Sequence, residues 1–277
     1  MRVCGEVENT ELLGPYANVC WAFDRPPEFE RRALRFLADG LAQGQQVWYI
    51  ADAPERDLLR VLRGLAGADE ALTSGAAKVA PLGRRYTSPD PESQVRTYAD
   101  ALDEALADGF SGLRVAADGT GLLEGRGGVD HLARYEHLVD RHMAHRPFSA
   151  LCAYNRRRLG RELVAEVACM HPITNVGAAP FRLFATDEAA IGLSGELDLA
   201  AQRLLSLALE RADPQPRSGE LAIDATAVTF MDHRSLLLLS RFAERRGATA
   251  VVRTKSAVPA RVMEVLRLPG VRVEPVG

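Results

Sequence analysis

Three consecutive arginines, Arg156, Arg157 and Arg158, follow directly on the apolar run from Phe148 to Tyr154. A guanidinium presents a planar fork of donors that matches carboxylates and phosphates. If the run is a buried parallel strand, the arginines stand at its carboxyl end, where open parallel sheets hold ligands. They read equally as an anion or ligand contact and as an interdomain or solvated patch. Asp118 ends a second such run, "GLRVAAD", and opens the glycine-rich stretch "ADGTGLLEGRGG" from Ala117 to Gly128. That stretch could be a mobile loop over a small-ligand cleft. A flexible connector is the preferred reading, because glycine runs are common in surface loops. The "GRRYTS" stretch from Gly83 to Ser88 is a further basic and aromatic cluster with the same ambiguity.

Other chemistries find fewer residues. His131, His137, His142 and His145 share one helical region, but only His142 and His145 have the i, i+3 spacing of a common face. No carboxylate or cysteine completes a set with them, so solvated histidines are expected and a metal site is not. Cys4, Cys20, Cys152 and Cys169 are scattered without a CxxC pair. Cys20, Cys152 and Cys169 lie in apolar runs and read as inert buried thiols, a pair arising only if the strands of Cys20 and Cys152 are neighbours. A phosphate-binding loop needs glycines and a lysine after the first strand. The sequence there is "FDRPPEFERRA", with two prolines, no glycine and no lysine. Proline removes the N–H donors that hold a phosphate, so ATP hydrolysis is not expected. Neither a nucleophile elbow nor a carboxylate pair stands out, which favours a non-enzymatic protein without a cofactor.

One further stretch, "FMDHRSLLLL" (Phe230 to Leu239), reads as a strand end, a corner at Asp232 and the start of a buried helix. Asp232 is a sound N-cap. His233 and Arg234 then occupy the first turn, where unpaired positive charge costs roughly 0.3–1 kcal/mol. Arg234 should therefore be offset, by Asp232 or by an acid on another protein.

The elements that must position these residues alternate strand and helix. Apolar runs begin at Asn18, Gln46, Ala77, Gly112 and Phe148, and amphipathic segments follow them. Phe29, Ala33, Leu37 and Leu41 recur every four residues, with Pro26 and Pro27 suited to a first turn and Gly40 and Gly44 to an end. Such alternation predicts an α/β fold with a parallel sheet covered on both faces. "ITNVGAAP" (Ile173 to Pro180) lacks periodicity and reads as a linker. Beyond it, paired short strands and further strand–helix units predict a second, smaller α/β domain. The expected division is residues 1–176 and 177–277.

The 277 residues include 47% hydrophobic and 26% charged side chains, with a net charge of −3. This balance fits a globular protein and provides no electrostatic footprint for nucleic acid. The sequence contains no apolar run long enough to span a membrane and no secretory leader. Unpatterned cysteines then suggest the cytoplasm.

The segment 181–277 resembles the STAS domain of anti-sigma-factor antagonists and sulfate-transporter tails. The resemblance rests on "LSGELDLAAQRLL" (Leu193 to Leu205), "LAIDATAVTFMDHRSLLLL" (Leu221 to Leu239) and "VVRTKSAVPARVMEVLRL". In antagonists of that family a kinase phosphorylates the serine that follows the aspartate. Here Asp232 matches the aspartate, His233 falls on the serine, Arg234 on the next residue and Ser235 on a glycine. The resemblance implies a switch corner, Asp232 to Ser235, that contacts a partner but lacks its phospho-acceptor.

Residues 14–172 resemble the MEDS domain, a sensory module of methanogen and methylotroph regulators that is also widespread in actinobacteria. The matching residues are "NVCWAFDRPPEFERRALRFLADGLAQGQQVWYIAD", "LCAYNRRRLGRELVAEVACMHP" and, within the latter, His171-Pro172. Asn18 stands where that family has histidine. The resemblance implies a RecA-like sheet, here without a phosphate loop, and a ligand site in which Asn18, Asp118 and the three arginines are candidates.

Together these readings predict a bacterial signalling regulator. Its first half would sense a small-molecule signal, and its second would bind an anti-sigma factor or a serine-kinase-type protein. The rivals are a nucleotide-binding protein whose second half relays occupancy, and a scaffold within a larger complex. Homo-oligomer formation is left open.

Overall fold

Side-chain alternation along the strands decides which layer each residue joins. In the computed structural model, residues 3–11, 13–86, 90–124, 128–266 and 269–276 are described. Seven of the described strands build the first sheet: β1 (Gly5–Val7), β2 (Asn18–Phe23), β3 (Gln46–Ala51), β4 (Ala77–Pro81), β5 (Leu113–Asp118), β6 (Phe148–Asn155) and β7 (Ile173–Asn175). They pair in parallel in the order β1-β7-β2-β6-β5-β3-β4. The connecting helices are α1 (Pro26–Ala42), α2 (Glu55–Leu62), α3 (Ala68–Thr73), α4 (Leu82–Arg85), α5 (Pro91–Ala107), α6 (Gly128–Met143), α7 (Arg156–Leu159) and α8 (Arg161–Ala168).

Period-two alternation in β2 sends Val19, Trp21 and Phe23 to one face and Cys20 and Ala22 to the other. The first face is covered by α1, α2 and α3. There Phe29 stacks between Phe23 and Tyr49 at 5.5 and 5.9 Å. Burying each ring stabilises by about 1.5–3 kcal/mol, and with the cavity left behind Phe29→Ala should cost this layer about 3–5 kcal/mol. The second face is covered by α5, α6 and α8.

Two sequence expectations fail here for local reasons. Ile173–Asn175 is not linker but strand β7, inserted between β1 and β2. Three residues are too few for periodicity to register, and the strand exists only because its neighbours pair with it. Gly40 does not end α1, which continues to Ala42. A Cβ at Gly40 would stand 2.7 Å from the stem of the buried Arg114, so glycine is needed there for packing. Gly44, with φ of +73°, does lie just past the helix end, as expected.

The remaining chain forms a five-stranded sheet among the described residues, in the order β12-β11-β10-β9-β8. Its elements are β8 (Phe181–Phe184), β9 (Ile191–Leu197), α9 (Gln202–Ala212), β10 (Glu220–Met231), α10 (His233–Glu244), β11 (Thr249–Thr254), α11 (Val258–Leu266) and β12 (Val271–Pro275). Only β8 runs antiparallel, against β9. Gly195 in the "LSGEL" stretch has φ of +91°, and a Cβ there would lie 2.6 Å from the Pro180 carbonyl. Only glycine fits that crossing.

The two halves share one apolar core. Helix α6 packs on α9 and β8, and Ala178 and Ala179 between the sheets are buried. Polar contacts reinforce the seam. Arg211, 8% exposed, bonds Asp130 at 2.8 Å and Glu166 at 2.7 Å. Arg182 of β8 bonds Thr174 of β7 and Glu6 of β1.

Candidate functional site

The carboxyl ends of β3 and β5 frame a cleft of about 230 Å³ lined by Tyr49, Asp52, Asp118, Thr120 and Arg158, among others. A parallel sheet opens here because the loops leaving its strands turn toward opposite faces. The Asp118 carboxylate accepts the Thr120 N–H at 3.0 Å. Burial pushes its pKa up, and the hydrogen bonds from Thr120, with a smaller contribution from Arg158, oppose that shift only in part. Burial likewise raises the pKa of the Tyr49 phenol, keeping it protonated as a donor. The carboxylates of Glu30, Asp52, Asp57 and Asp118, the Tyr49 phenol and the guanidiniums of Arg60 and Arg158 around so small a volume suit a small polar ligand held by directed hydrogen bonds.

The three arginines do not act together. Arg158 faces this cleft and makes a two-pronged bond to Glu124, at 2.7 and 2.6 Å. Arg156 grips Asp24 with two bonds of 3.2 Å and lines a separate hollow with Arg31, Arg32 and Arg35. Arg157 is exposed. The local cause of this fan is Asn155, whose Oδ1 accepts the N–H groups of Arg157 and Arg158 and starts a single helical turn. Residues 125–127 of the glycine-rich stretch, and Thr87 and Ser88 of the "GRRYTS" stretch, lie outside the described residues.

At the mouth of α1, where a phosphate loop would present its amides, Glu28 takes that place. Its Oε2 accepts the N–H groups of Asp24 at 3.2 Å and Arg25 at 3.3 Å.

Asn18 is at the other end of the sheet. It begins β2, whereas Asp118 ends β5 and the arginines follow β6, so the structure separates it from the cleft. Fully buried, it donates from Nδ2 to Asp140 Oδ1 at 3.0 Å. The second oxygen of Asp140 accepts the backbone N–H of Ala185, in the other half, at 2.8 Å.

Next to Asp140 on α6 lies a polar cluster that sequence spacing did not reveal. Glu136, Cys152, Tyr154 and His171 converge beneath the second face of the sheet. Tyr154 Oη donates to Glu136 Oε1 at 2.8 Å, and His171 Nε2 lies 3.2 Å from Glu136 Oε2. Cys20 and Cys152 occupy the same register on adjacent strands, so the condition set for a thiol pair, neighbouring strands, is met. Burial drives both thiols well above their ordinary pKa. His137, expected in solvent, is instead 2% exposed, and burial pulls its pKa down to about 4. Arg134, one turn earlier on α6, donates to the Arg211 and Ala212 carbonyls of the second half, which packs along this helix.

In the second half, Asp232 caps α10, its Oδ1 accepting the Ser235 N–H at 2.7 Å. His233 and Arg234 are exposed, and among the described residues Arg234 forms no ion pair, not even with Asp232. The cap uses one carboxylate oxygen, Oδ1, and the Arg234 guanidinium makes no contact with the other. Ser235 is 1% exposed and its hydroxyl donates to the Leu197 carbonyl at 3.0 Å. Two large apolar residues flank the corner in solvent, Phe230 at 51% and Leu199 at 61% exposure.

Among the described residues, no helix is long and apolar enough to cross a membrane. Comparison with curated proteins produces no match. A family model described as "MEDS: MEthanogen/methylotroph, DcmR Sensory domain" matches residues 19–172, more than half the chain, and the chain belongs to that family.

Proposed function

We propose that this MEDS-family chain is a non-enzymatic signalling regulator in which residues 1–176 sense a small ligand and residues 177–277 act as a STAS-type partner-binding domain. The cleft around Asp118 and Arg158 is the ligand site under this reading. The Asn18–Asp140–Ala185 chain of hydrogen bonds is a route by which a shift of α6 reaches the second half. The partner is an anti-sigma factor or a related serine-kinase-type protein.

The observation that carries the reading is the α10 corner. Phe230 and Leu199 offer apolar anchors beside the uncompensated charge of Arg234, which suits a partner surface with an acidic group and an apolar pocket. The position of the phospho-acceptor is His233, and the nearest hydroxyl, Ser235, is buried and committed. The corner therefore binds without a phosphorylation off-switch, and control passes to the sensory half.

The test is a pull-down of the full chain against the anti-sigma factors of its host, repeated with Arg234→Glu and Phe230→Ala. Capture by one factor, lost in both variants, supports the reading. Absence of any such partner sinks it.

A second reading, nucleotide binding by the sheet's carboxyl edge, draws on the Asp118 cleft and the arginine-lined hollow beside α1. Calorimetry with ATP, GTP and cyclic dinucleotides separates the two, since only the second requires heat of binding.

A further inference from the structure

Glu136, Cys152 and His171 come from a helix, a strand and the turn after α8, and all three are buried, Glu136 and His171 completely. A carboxylate oxygen, a thiol sulfur and an imidazole nitrogen lie within 4.8 Å of one another. From the geometry we infer that these residues form a buried site for a divalent cation of the zinc class.

Three observations carry this. The first is size. Glu136 Oε2 lies 3.2 Å from His171 Nε2 and 3.8 Å from Cys152 Sγ. A tetrahedral zinc site with ordinary bond lengths has ligand-to-ligand edges of roughly 3.4–3.6 Å, so one cation fits among these atoms with little movement.

The second is orientation. His171 Nδ1 contacts the Val167 carbonyl at 3.0 Å, which makes it the protonated nitrogen. Nε2 then carries the lone pair. It is enclosed and makes no hydrogen bond, although the Glu136 carboxylate is within ion-pairing distance. A nitrogen held in this way by a carbonyl behind it is oriented as metal-bound histidines are. Glu136 is steadied in turn by the Tyr154 hydroxyl on its other oxygen.

The third is charge. A thiolate, a carboxylate and a neutral imidazole sum to two negative charges, which a divalent cation balances. Burying the occupied site therefore buries no net charge, whereas ionised ligands alone would carry a large desolvation cost. Binding releases to solvent the thiol proton, together with any proton His171 Nε2 holds toward Glu136, because a ligating imidazole is neutral. The mixture of sulfur, nitrogen and oxygen suits zinc or cobalt rather than magnesium or calcium. Cys20 shares the register of Cys152 on the adjacent strand but lies outside the set of ligand atoms within 4.8 Å of one another, so Cys152 is the one thiolate of the site.

The site is closed to solvent, so loading accompanies folding. Full-length chain is refolded with Co²⁺ or Zn²⁺, desalted, and examined by native mass spectrometry and absorption. One retained ion per chain is expected, with a thiolate-to-cobalt charge-transfer band and the intense visible bands of tetrahedral cobalt, displaced by Zn²⁺. Cys152→Ala should abolish the charge-transfer band. Glu136→Gln, a near-isosteric change, should weaken retention at least about tenfold in competition with a chelator while circular dichroism stays unchanged. Cys169→Ser, a buried thiol outside the set, should retain the full spectrum. Failure of the unmodified chain to retain an ion, or a cobalt spectrum that survives Cys152→Ala, overturns the inference.

Discussion

Asp140 and Ala185 lie 45 residues apart, yet the carboxylate of one accepts the backbone N–H of the other at 2.8 Å inside the seam between the two halves. The same carboxylate holds Asn18 at the start of β2. A single side chain on α6 thus ties the first sheet to the loop that follows β8.

Replacing Asp140 by alanine leaves two enclosed donors, the Asn18 amide and the Ala185 N–H, without this acceptor. Orphaning buried donors costs about 1–3 kcal/mol, so the thermal midpoint should fall measurably. Asp140→Asn, which keeps one carbonyl oxygen, should lose less. Equal midpoints for wild type and Asp140→Ala in scanning calorimetry would contradict the bridging role.

Arg211 and Glu166 make the strongest electrostatic contact across the seam, with side chains 6% and 12% exposed. Removing Arg211 leaves Glu166 with only the exposed Arg203, 2.8 Å from its other oxygen, and leaves Asp130 without this partner. Arg211→Met should therefore destabilise by about 1–3 kcal/mol, through the lost charge-assisted hydrogen bonds, and added salt should do little to mimic the effect. Calorimetry should also show the single transition of wild type splitting, as the two halves begin to melt separately.

Asp118 makes stability depend on pH in a defined direction. Burial raises its pKa in the folded chain above the ordinary value of 3.8, so the folded state holds the proton more tightly than the unfolded state does. Ionisation above that range therefore weakens the fold. Asp118→Asn should raise the melting temperature near neutral pH, and the gain should vanish as the pH falls below 3.8, where the wild-type carboxyl is protonated in both states. A gain independent of pH would point to packing instead. If the cleft is the ligand site, the stabilised variant should also bind its ligand less well.

At the corner of α10, incubation with a cognate serine kinase should leave wild-type His233 and Ser235 unmodified, as mass spectrometry can check. His233→Ser places a hydroxyl on the exposed first turn and should permit phosphorylation. Robust phosphotransfer to Ser235 in wild type would show that α10 unwinds readily, against the bond its hydroxyl makes to Leu197. Asp232→Ala removes the helix cap and should cost about 1 kcal/mol.

Much of this architecture was legible in the amino-acid order because local chemistry sets it. The strand from Asn18 to Phe23 announces itself by an unbroken apolar run, and α1 by Phe29, Ala33 and Leu37 on one stripe. Asp232 marks the start of α10 because a short carboxylate ahead of an apolar run has few other uses. The Asp118 and Arg158 positions at the sheet's carboxyl edge follow from the same logic.

Other features were invisible because they depend on partners distant in sequence. Strand β7 has three residues and no pattern of its own; hydrogen bonds from β1 and β2 make it a strand. Asn18 could be placed on a strand, but not opposite Asp140, since the register between sheet and α6 is decided by packing. His137 looked solvated because the second half that packs along its helix is remote in the chain.

The amino-acid order alone determined the alternation of elements, the two α/β units and the lack of a phosphate loop, all properties of residues within one helix turn or strand. Only tertiary structure decided where Arg156 and Arg158 end, because Asp24 and Glu124, distant in sequence, hold them in separate hollows. It likewise decided that Glu136, Cys152 and His171 meet at all. Such convergence belongs to sheet order and helix packing, where side chains far apart in sequence become neighbours in a volume that excludes water.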